Sequence, residues 1–475
     1  MKKILIYNWI PFDEKEGKGG GVTVYTKNLI HYLVNNTEWQ VYFLSSGRAY
    51  APLKRKIFIE RTENIYGERC RSFQIVNSPV LSSANVSFPF PWKIQEDEEL
   101  KKVICYFFES EGIFDVVHFQ NLEGLSLGVL ELKDEFKRTT FIFSLHNYYP
   151  FCPQVMLWRK KQSVCRQETC GQSCVDCMPR DVYRYKVILN QSLNYYRSKK
   201  GTAVFGKRLQ KAVEFCCEKY TRLQKGKVSN RRIKKLSRYF SQYRESNVQY
   251  LNQYMDYILA VSKRVKDLAI SFGVEEQKLR ISYIGTEAAK KQKGCLAYPF
   301  EHYPFKICYL GYMRREKGFY FLLDALEEMP DEFAGRISLK FAARATDSEA
   351  QERLESLKCK FAEVILYDGY THRELPEILR GVQLGIVPPL WEDNLPQVAI
   401  EMKAFGIPVL SSNLGGAQEL TDSEKFVFEA GNKEDFLLKL IDLVKEPEEL
   451  NLYWENAKRL VTMQEHMQEL LQYYG

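Results

Sequence analysis

Between Leu384 and Leu420 the sequence alternates short apolar runs with polar tips, in the pattern of an α/β layer. Leu384 to Val387 is apolar and stops at Pro388-Pro389; a short run bounded by turn residues reads as a buried strand. A helix opens near Pro396, because proline fits a first turn, where its missing N–H would have no partner anyway. Val398, Met402 and Phe405 give that helix an apolar stripe. Gly406 ends it and Pro408 prevents its continuation. Val409 to Ser412 reads as the next strand and Gly415-Gly416 as a tight loop. The unit predicts an open, mostly parallel sheet, which binds ligands at the loop tips beyond its strands.

Asp393 stands before this helix and Glu401 inside it. A carboxylate ahead of a helix start can accept hydrogen bonds from sugar hydroxyls, and one two turns on can hold a ribose diol. Asn394, Leu395 and Pro396 lie between them, and the backbone N–H groups of this stretch, which Pro396 lacks, face an anion. The run Asp393-Asn-Leu-Pro-Gln-Val-Ala-Ile-Glu401 resembles the signature of glycosyltransferase family 4. That signature is an acid, seven residues and a glutamate, with Pro-x-Val between. The first acid of the family is usually glutamate, and Glu392 beside Asp393 leaves that position open between the two. The Gly-x-Pro-Val run and the Gly415-Gly416 loop follow in the family's order, and Glu419 lies close behind them.

At 475 residues the chain exceeds one compact core, so two or three domains are expected. No apolar run reaches the ~20 residues needed to cross a bilayer. The start, Met1-Lys2-Lys3 before ILIY, reads as a first strand and not as a signal peptide. These features predict a cytoplasmic protein, whose 12 cysteines are thiols or metal ligands in preference to disulfides.

Lys3 to Ile10 reads as the first strand, followed by the loop GKGGGV and a helix with Val22, Tyr25, Leu29 and Leu33 on one face. Glycines there let a phosphate or a substrate approach a helix N-terminus. The spacing is not G-x-G-x-x-G, which speaks against a dinucleotide enzyme. The resemblance assigns Gly20 and Gly21 to the family's first glycine loop, between donor phosphate and acceptor. Val41 to Leu44 continues the strand pattern, and residues 50 to 100 read as irregular. Phe114 to Asn121 looks like the family's D-V-V-H-x-H/Q-N strand, with His118 as a scaffold or acceptor-side residue. Phe141 to Leu145 is another strand and ends in His146, which the resemblance makes the contact to the transferred sugar.

Cys165, Cys170, Cys174 and Cys177 come next, with spacing C-x4-C-x3-C-x2-C. Four thiolates so close can hold a structural zinc, or less readily an iron–sulfur cluster. Between Arg197 and Arg244 there are 16 Lys and Arg against Glu214 and Glu218, so this segment holds more than the chain's whole net charge of +8. Its interleaved aromatics suggest a helical patch on an anionic membrane surface. No nucleic-acid motif accompanies it, and no nucleic-acid partner is expected.

Tyr257 to Ser262 and Leu279 to Gly285 read as the last strands of the first half. Phe305 to Leu310 opens the second half and leads into Gly311-Tyr-Met-Arg-Arg-Glu-Lys317-Gly318. This loop resembles the family's G-R-x-x-x-E-K-G, whose Arg and Lys hold the donor diphosphate without a metal. Lys317 is in register, Tyr312 occupies the usual Arg position, and Arg314 or Arg315 is the substitute. Val364 to Tyr370 and Leu375 to Leu379 fit the strand and helix that frame the base. Glu455 to Tyr474 reads as helical.

The resemblance implies a GT-B fold: two doubly wound Rossmann-like domains facing each other across a deep cleft. The boundaries are 1–285 for the acceptor side (with a Cys-rich and basic insert at about 150–250), 286–302 for a linker and 303–452 for the donor side. Residues 453–475 form a helix that crosses back. The implied activity is retaining transfer of a sugar from a UDP or GDP donor, less readily ADP, to a hydroxyl of a glycan or lipid-linked acceptor. His146, Asp393, Glu401 and Lys317 would be catalytic. Gly20, Gly21, Arg314, Arg315, Asn394, Leu395, Pro396, Gly415 and Gly416 would bind the donor. No catalytic cofactor is implied, and no pyridoxal phosphate signature is evident. A peripheral place on the inner membrane face is expected from the basic insert. The alternative is a catalytically silent scaffold of the same fold.

Overall fold

The computed structural model describes residues 1–13, 20–87, 92–95, 97–160, 162–166, 170–178, 184–200, 230–291, 304–344 and 348–475. Much of the basic segment and most of the expected linker lie outside the described residues.

The first body is an eight-stranded sheet. It comprises β1 (Lys3–Tyr7), β2 (Gln40–Ala49), β3 (Phe58–Thr62), β4 (Cys70–Val76), β5 (Val116–Phe119), β6 (Thr140–Leu145), β9 (Tyr257–Ala260) and β10 (Leu279–Ile281). A small separate hairpin, β7 (Trp158–Arg159) and β8 (Ser163–Val164), precedes the cysteine segment. The order is β10-β9-β6-β5-β1-β2-β4-β3, parallel except for β3 against β4. The central strands β1, β5 and β6 are almost wholly buried, as expected of parallel strands covered on both faces. The region read as irregular contains β3 and β4. β3 is FIERT, whose charged positions suit an exposed edge and hide its periodicity.

Helices α1 (Gly20–Asn36), α2 (Asn230–Tyr254) and α3 (Lys263–Ser271) belong to the first body, and a helix from the far end of the chain joins them. α3 is capped by the Ser262 side chain, which accepts from the Val265 N–H, one of the donors a helix start leaves unpaired.

The second body is a six-stranded, all-parallel sheet. Its strands are β11 (Phe305–Tyr312), β12 (Ile337–Arg344), β13 (Glu363–Tyr367), β14 (Leu384–Val387), β15 (Val409–Ser412) and β16 (Val427–Phe428), in the order β13-β12-β11-β14-β15-β16. Its helices include α4 (Phe319–Glu328) and α5 (Gln397–Ala404). Strand order reverses between β11 and β14 in this sheet and between β1 and β5 in the first. Ligands of open α/β sheets bind beyond the strand ends at such reversals.

The closing segment is not one helix from Glu455. The chain breaks after Glu455, makes isolated bridges at Ala457 and Thr462, and only then forms α6 (Met463–Tyr474). Thr462 starts it with a capping box to Glu465. Met463, Met467, Leu470 and Tyr474 of α6 are buried in the first body's core, with Leu29 and Leu33 of α1 and Ile4 and Ile6 of β1.

Candidate active site

Both reversal loops of the second body carry charge. The loop after β11 brings Lys317, and the loop after β14 brings Trp391, Glu392 and Asp393. Lys317 Nζ donates to Asp393 Oδ2 at 2.6 Å and sits 5.0 Å from the centre of the Trp391 ring. The two loops approach so closely that side chains are excluded. Gly318 has φ +74 and a Cβ there would lie 1.7 Å from the Pro388 carbonyl oxygen. Gly415 has φ +76 and a Cβ would lie 1.9 Å from the Asp393 carbonyl oxygen. Only glycine meets both demands. Gly416 N–H donates to that same Asp393 oxygen at 2.8 Å, so the Gly-Gly loop fixes the backbone of the acid.

The sequence left Glu392 and Asp393 open as the first acid, and the geometry gives them different partners. Glu392 is 3% exposed and forms a bidentate pair with Arg264 of the first body: Nε to Oε2 at 2.9 Å, and Nη2 to Oε1. Its Oε2 also accepts from the Gly415 N–H at 3.2 Å. Asp393 has Lys317 and stays on the second body. Glu419 accepts from the Lys263 and Arg264 N–H groups at 2.9 and 2.7 Å and from the Tyr283 hydroxyl at 2.9 Å. A carboxylate at the open N–H groups of a helix start is favourably placed. Arg264 carried no signal in the sequence, since an arginine just inside a helix reads as a solvated residue.

Two further contacts join the acid loop to the first body. The Asn394 amide donates to the Leu145 carbonyl at 3.3 Å, next to His146. Gln397, at the start of α5, donates to the Gly21 carbonyl at 3.2 Å. The structure therefore brings together Gly21, His146, Lys317, Asp393, Asn394, Gly415 and Gly416. Pro396 is the N-cap of α5, and Leu395 is buried before it.

His146 is held from two sides. Its Nε2 lies 2.9 Å from Gln120 Oε1, an oxygen that can only accept, so Nε2 carries the proton. Its ring packs 4.8 Å from Tyr25, whose hydroxyl is 2.6 Å from His466 Nε2 on α6. Burial, with His466 as a lesser cause, pushes the His146 pKa down to about 3; it is a neutral imidazole at physiological pH. His118 is fully buried, with Nδ1 2.8 Å from the Tyr474 hydroxyl and Nε2 2.8 Å from Ser144 Oγ. Both its nitrogens serve the scaffold. Nearby, burial raises Glu123 to about 7 against the hydrogen bonds it accepts from Ala84 N–H and the Asn147 amide.

Glu401 lies on α5 with a 10% exposed side chain, and His372 Nε2 is 2.9 Å from its Oε1. Arg314 stacks on Tyr312 at 5.0 Å and Arg315 on Tyr320 at 5.1 Å; neither pairs with Asp393. Gly20 opens α1, and the loop before it lies outside the described residues.

The cysteines share one neighbourhood without closing on one point. Cys170 donates to the Phe151 carbonyl and is hydrogen-bonded to Cys174, while Cys177 Sγ accepts from the Lys160 N–H at 3.4 Å. Among the described residues no group of three or more His, Cys, Asp or Glu is placed to hold a metal ion. Among them, too, no helix is long and apolar enough to cross a membrane.

Residues 297–460 match the family model of glycosyl transferases group 1. No curated protein matches the sequence. Solved structures resemble the chain over its whole length. HepE of Anabaena in complex with UDP is 12% identical, with 99% of each chain covered and a TM-score of 0.57. Sucrose-phosphate synthase of Thermosynechococcus elongatus is 15% identical, covering 100% of this chain and 98% of its own, with a TM-score of 0.59. The lipopolysaccharide outer core galactosyltransferase WaaB is 13% identical, with 99% of each chain covered and a TM-score of 0.56. The chain thus has the fold of the GT-B glycosyltransferases, and its second body matches the model of glycosyl transferases group 1.

Proposed function

We propose that the protein is a retaining glycosyltransferase of family 4 that moves a sugar from a nucleoside diphosphate sugar to a hydroxyl of a glycan or lipid-linked acceptor. The observation that carries this reading is the Lys317–Asp393 pair at 2.6 Å beside the Asn394–Leu145 contact. A cation and a sugar-binding acid thereby face His146 across the junction of the two bodies. Lys317, with Arg314 or Arg315, stabilises the departing diphosphate, whose charge grows as the glycosidic bond breaks. Asp393 accepts from the sugar hydroxyls, Glu401 holds the ribose, and the start of α5 faces the phosphates. Neutral His146 hydrogen-bonds the sugar from the opposite wall. HepE in its complexes with UDP and UDP-glucose supports a uridine donor. Contact of the two bodies around the sugar would exclude water and limit donor hydrolysis.

Thermal stabilisation and slow hydrolysis with UDP-, GDP- and ADP-sugars test the proposal. A chain that binds none of them, and in which Asp393→Ala and Glu401→Ala change nothing, is not this enzyme.

Two accessory readings belong to the same proposal. The basic segment binds an anionic membrane surface on the cytoplasmic side, where a lipid-linked acceptor lies; failure to sediment with anionic vesicles at physiological salt refutes it. A structural zinc on Cys165, Cys170, Cys174 and Cys177 would require the thiols to close on one point. Zinc and iron analysis of protein purified without a metal-affinity tag decides that question.

A further inference from the structure

Glu401 is held by a residue that the sequence pattern does not single out. His372 sits on the loop after β13, and its side chain is 67% exposed while Glu401 is 10% exposed. The loop is pinned: Gly369 turns it with φ +76, and Glu374 Oε2 accepts from the Thr371 N–H and hydroxyl, both at 2.7 Å. Tyr370 lies largely buried beside Glu401 and Tyr312, and burial keeps its phenol protonated. His372 takes one oxygen of Glu401, Oε1. The other, Oε2, has no hydrogen-bond partner among the described residues.

We propose that His372 is a positioning residue for the donor: it fixes the Glu401 carboxylate so that Oε2 faces the ribose diol of a nucleoside diphosphate. The inference rests on the reading of Glu401 as the ribose acceptor. A carboxylate on a flexible stem loses rotamer freedom when it binds a diol. One already held by an imidazolium has met part of that cost. The exposed His372 ring lies beside Glu401, so a nucleoside held by that carboxylate would come against it.

The charge on His372 makes the clamp depend on pH. Glu401, the charged group that acts on it, raises its pKa above the ordinary 6.5, while partial burial opposes. The imidazolium clamp is therefore complete at low pH and is lost as pH rises through the raised value. Arg373 and Glu374 flank His372 on its own loop, with Glu374 engaged by Thr371.

The test is titration of UDP and GDP into the full-length protein from pH 5.5 to 8.5 at constant ionic strength, using wild type, His372→Ala, His372→Gln and Glu401→Ala. At pH 6, His372→Ala is expected to weaken binding about fivefold, the value of a partly exposed charged pair. His372→Gln, which can still donate to Oε1 without charge, is expected to recover part of that loss. The wild-type advantage over His372→Gln should vanish by pH 8.5; this comparison removes the nucleotide's own phosphate titration. Glu401→Ala should lose binding at every pH. If Glu401→Ala loses binding while His372→Ala matches wild type throughout, the ribose reading stands and this inference falls. If wild type binds neither nucleotide, both fall.

Discussion

Arg264 and Glu392 form a bidentate pair across the junction of the two bodies, with Glu392 almost wholly buried and Arg264 37% exposed. The pair lies one residue from Asp393, so its geometry sets where the acid loop sits against the first body. Its exposure on the Arg264 side brings its worth toward that of a surface pair, about 1 kcal/mol. A double-mutant cycle of Arg264→Met and Glu392→Gln should show a coupling of about 1 kcal/mol in thermal unfolding. Arg264→Met alone should also let the bodies separate, seen as a larger radius of gyration in small-angle scattering. Unchanged scattering and no coupling would remove the pair from any account of the junction.

Lys317 and Asp393 are one unit, so their single losses should not add. Lys317→Ala and Asp393→Asn are each expected to lower donor turnover by about 10²- to 10³-fold, the range for one transition-state donor. The double variant should be little worse than either. Multiplicative losses would separate the two residues.

His146 is depressed to about 3 by burial, so it stays uncharged through the neutral range. Its protonation should give no inflection in turnover between pH 5 and 8. The sign for stability comes from the depressed pKa. The unfolded state takes up the proton first, so stability falls as pH drops from about 6.5 toward 3. His146→Gln should lower turnover and flatten part of that acid limb. A turnover inflection near 6.5 that the variant abolishes would contradict a neutral His146.

Glu123 runs the other way. Its folded pKa of about 7 lies above the usual 4.5, so folding favours the protonated form. Stability is then lost as pH rises from about 4.5 to 7, by about 3 kcal/mol in total. Glu123→Gln keeps an acceptor for the Ala84 N–H and should be the more stable protein at pH 8 and lose that advantage at pH 4.5. Denaturant midpoints at the two pH values check this.

The acid–glutamate helix and the Gly-Gly loop were readable because local rules write them directly: a proline at a helix start, a glycine at its end, and short apolar runs between polar tips. β1, β5, β6, β11, β14 and β15 were legible for the same reason. β3 was not, since Glu60 and Arg61 break the apolar pattern; Glu60 finds Gln74, Tyr195 and Lys199, and Arg61 finds Glu68, partners no local pattern shows. Arg264 and His372 were missed, and Gln120, read only as part of the strand motif, was not tied to His146, for a related reason. Each acquires its partner, Glu392, Glu401 or His146, from another part of the chain, between 26 and 128 residues away. No local pattern encodes such a pairing. The break between Glu455 and Met463 was hidden because Asn456 to Thr462 lacks a proline or glycine; its bridges to Thr421 and Thr286 override helix propensity.

Helix α6 completes the first body with residues made after the whole second body. Ile4, Leu29, Tyr25 and His118 all wait for Met463, Met467, His466 and Tyr474. During synthesis, the opening sheet would therefore leave the ribosome with a bare apolar flank and stay so while the whole second body was being made. The order of assembly is thus inverted. The half translated first is the half finished last, and a stall before Met463 would strand it with its core open to chaperones and proteases.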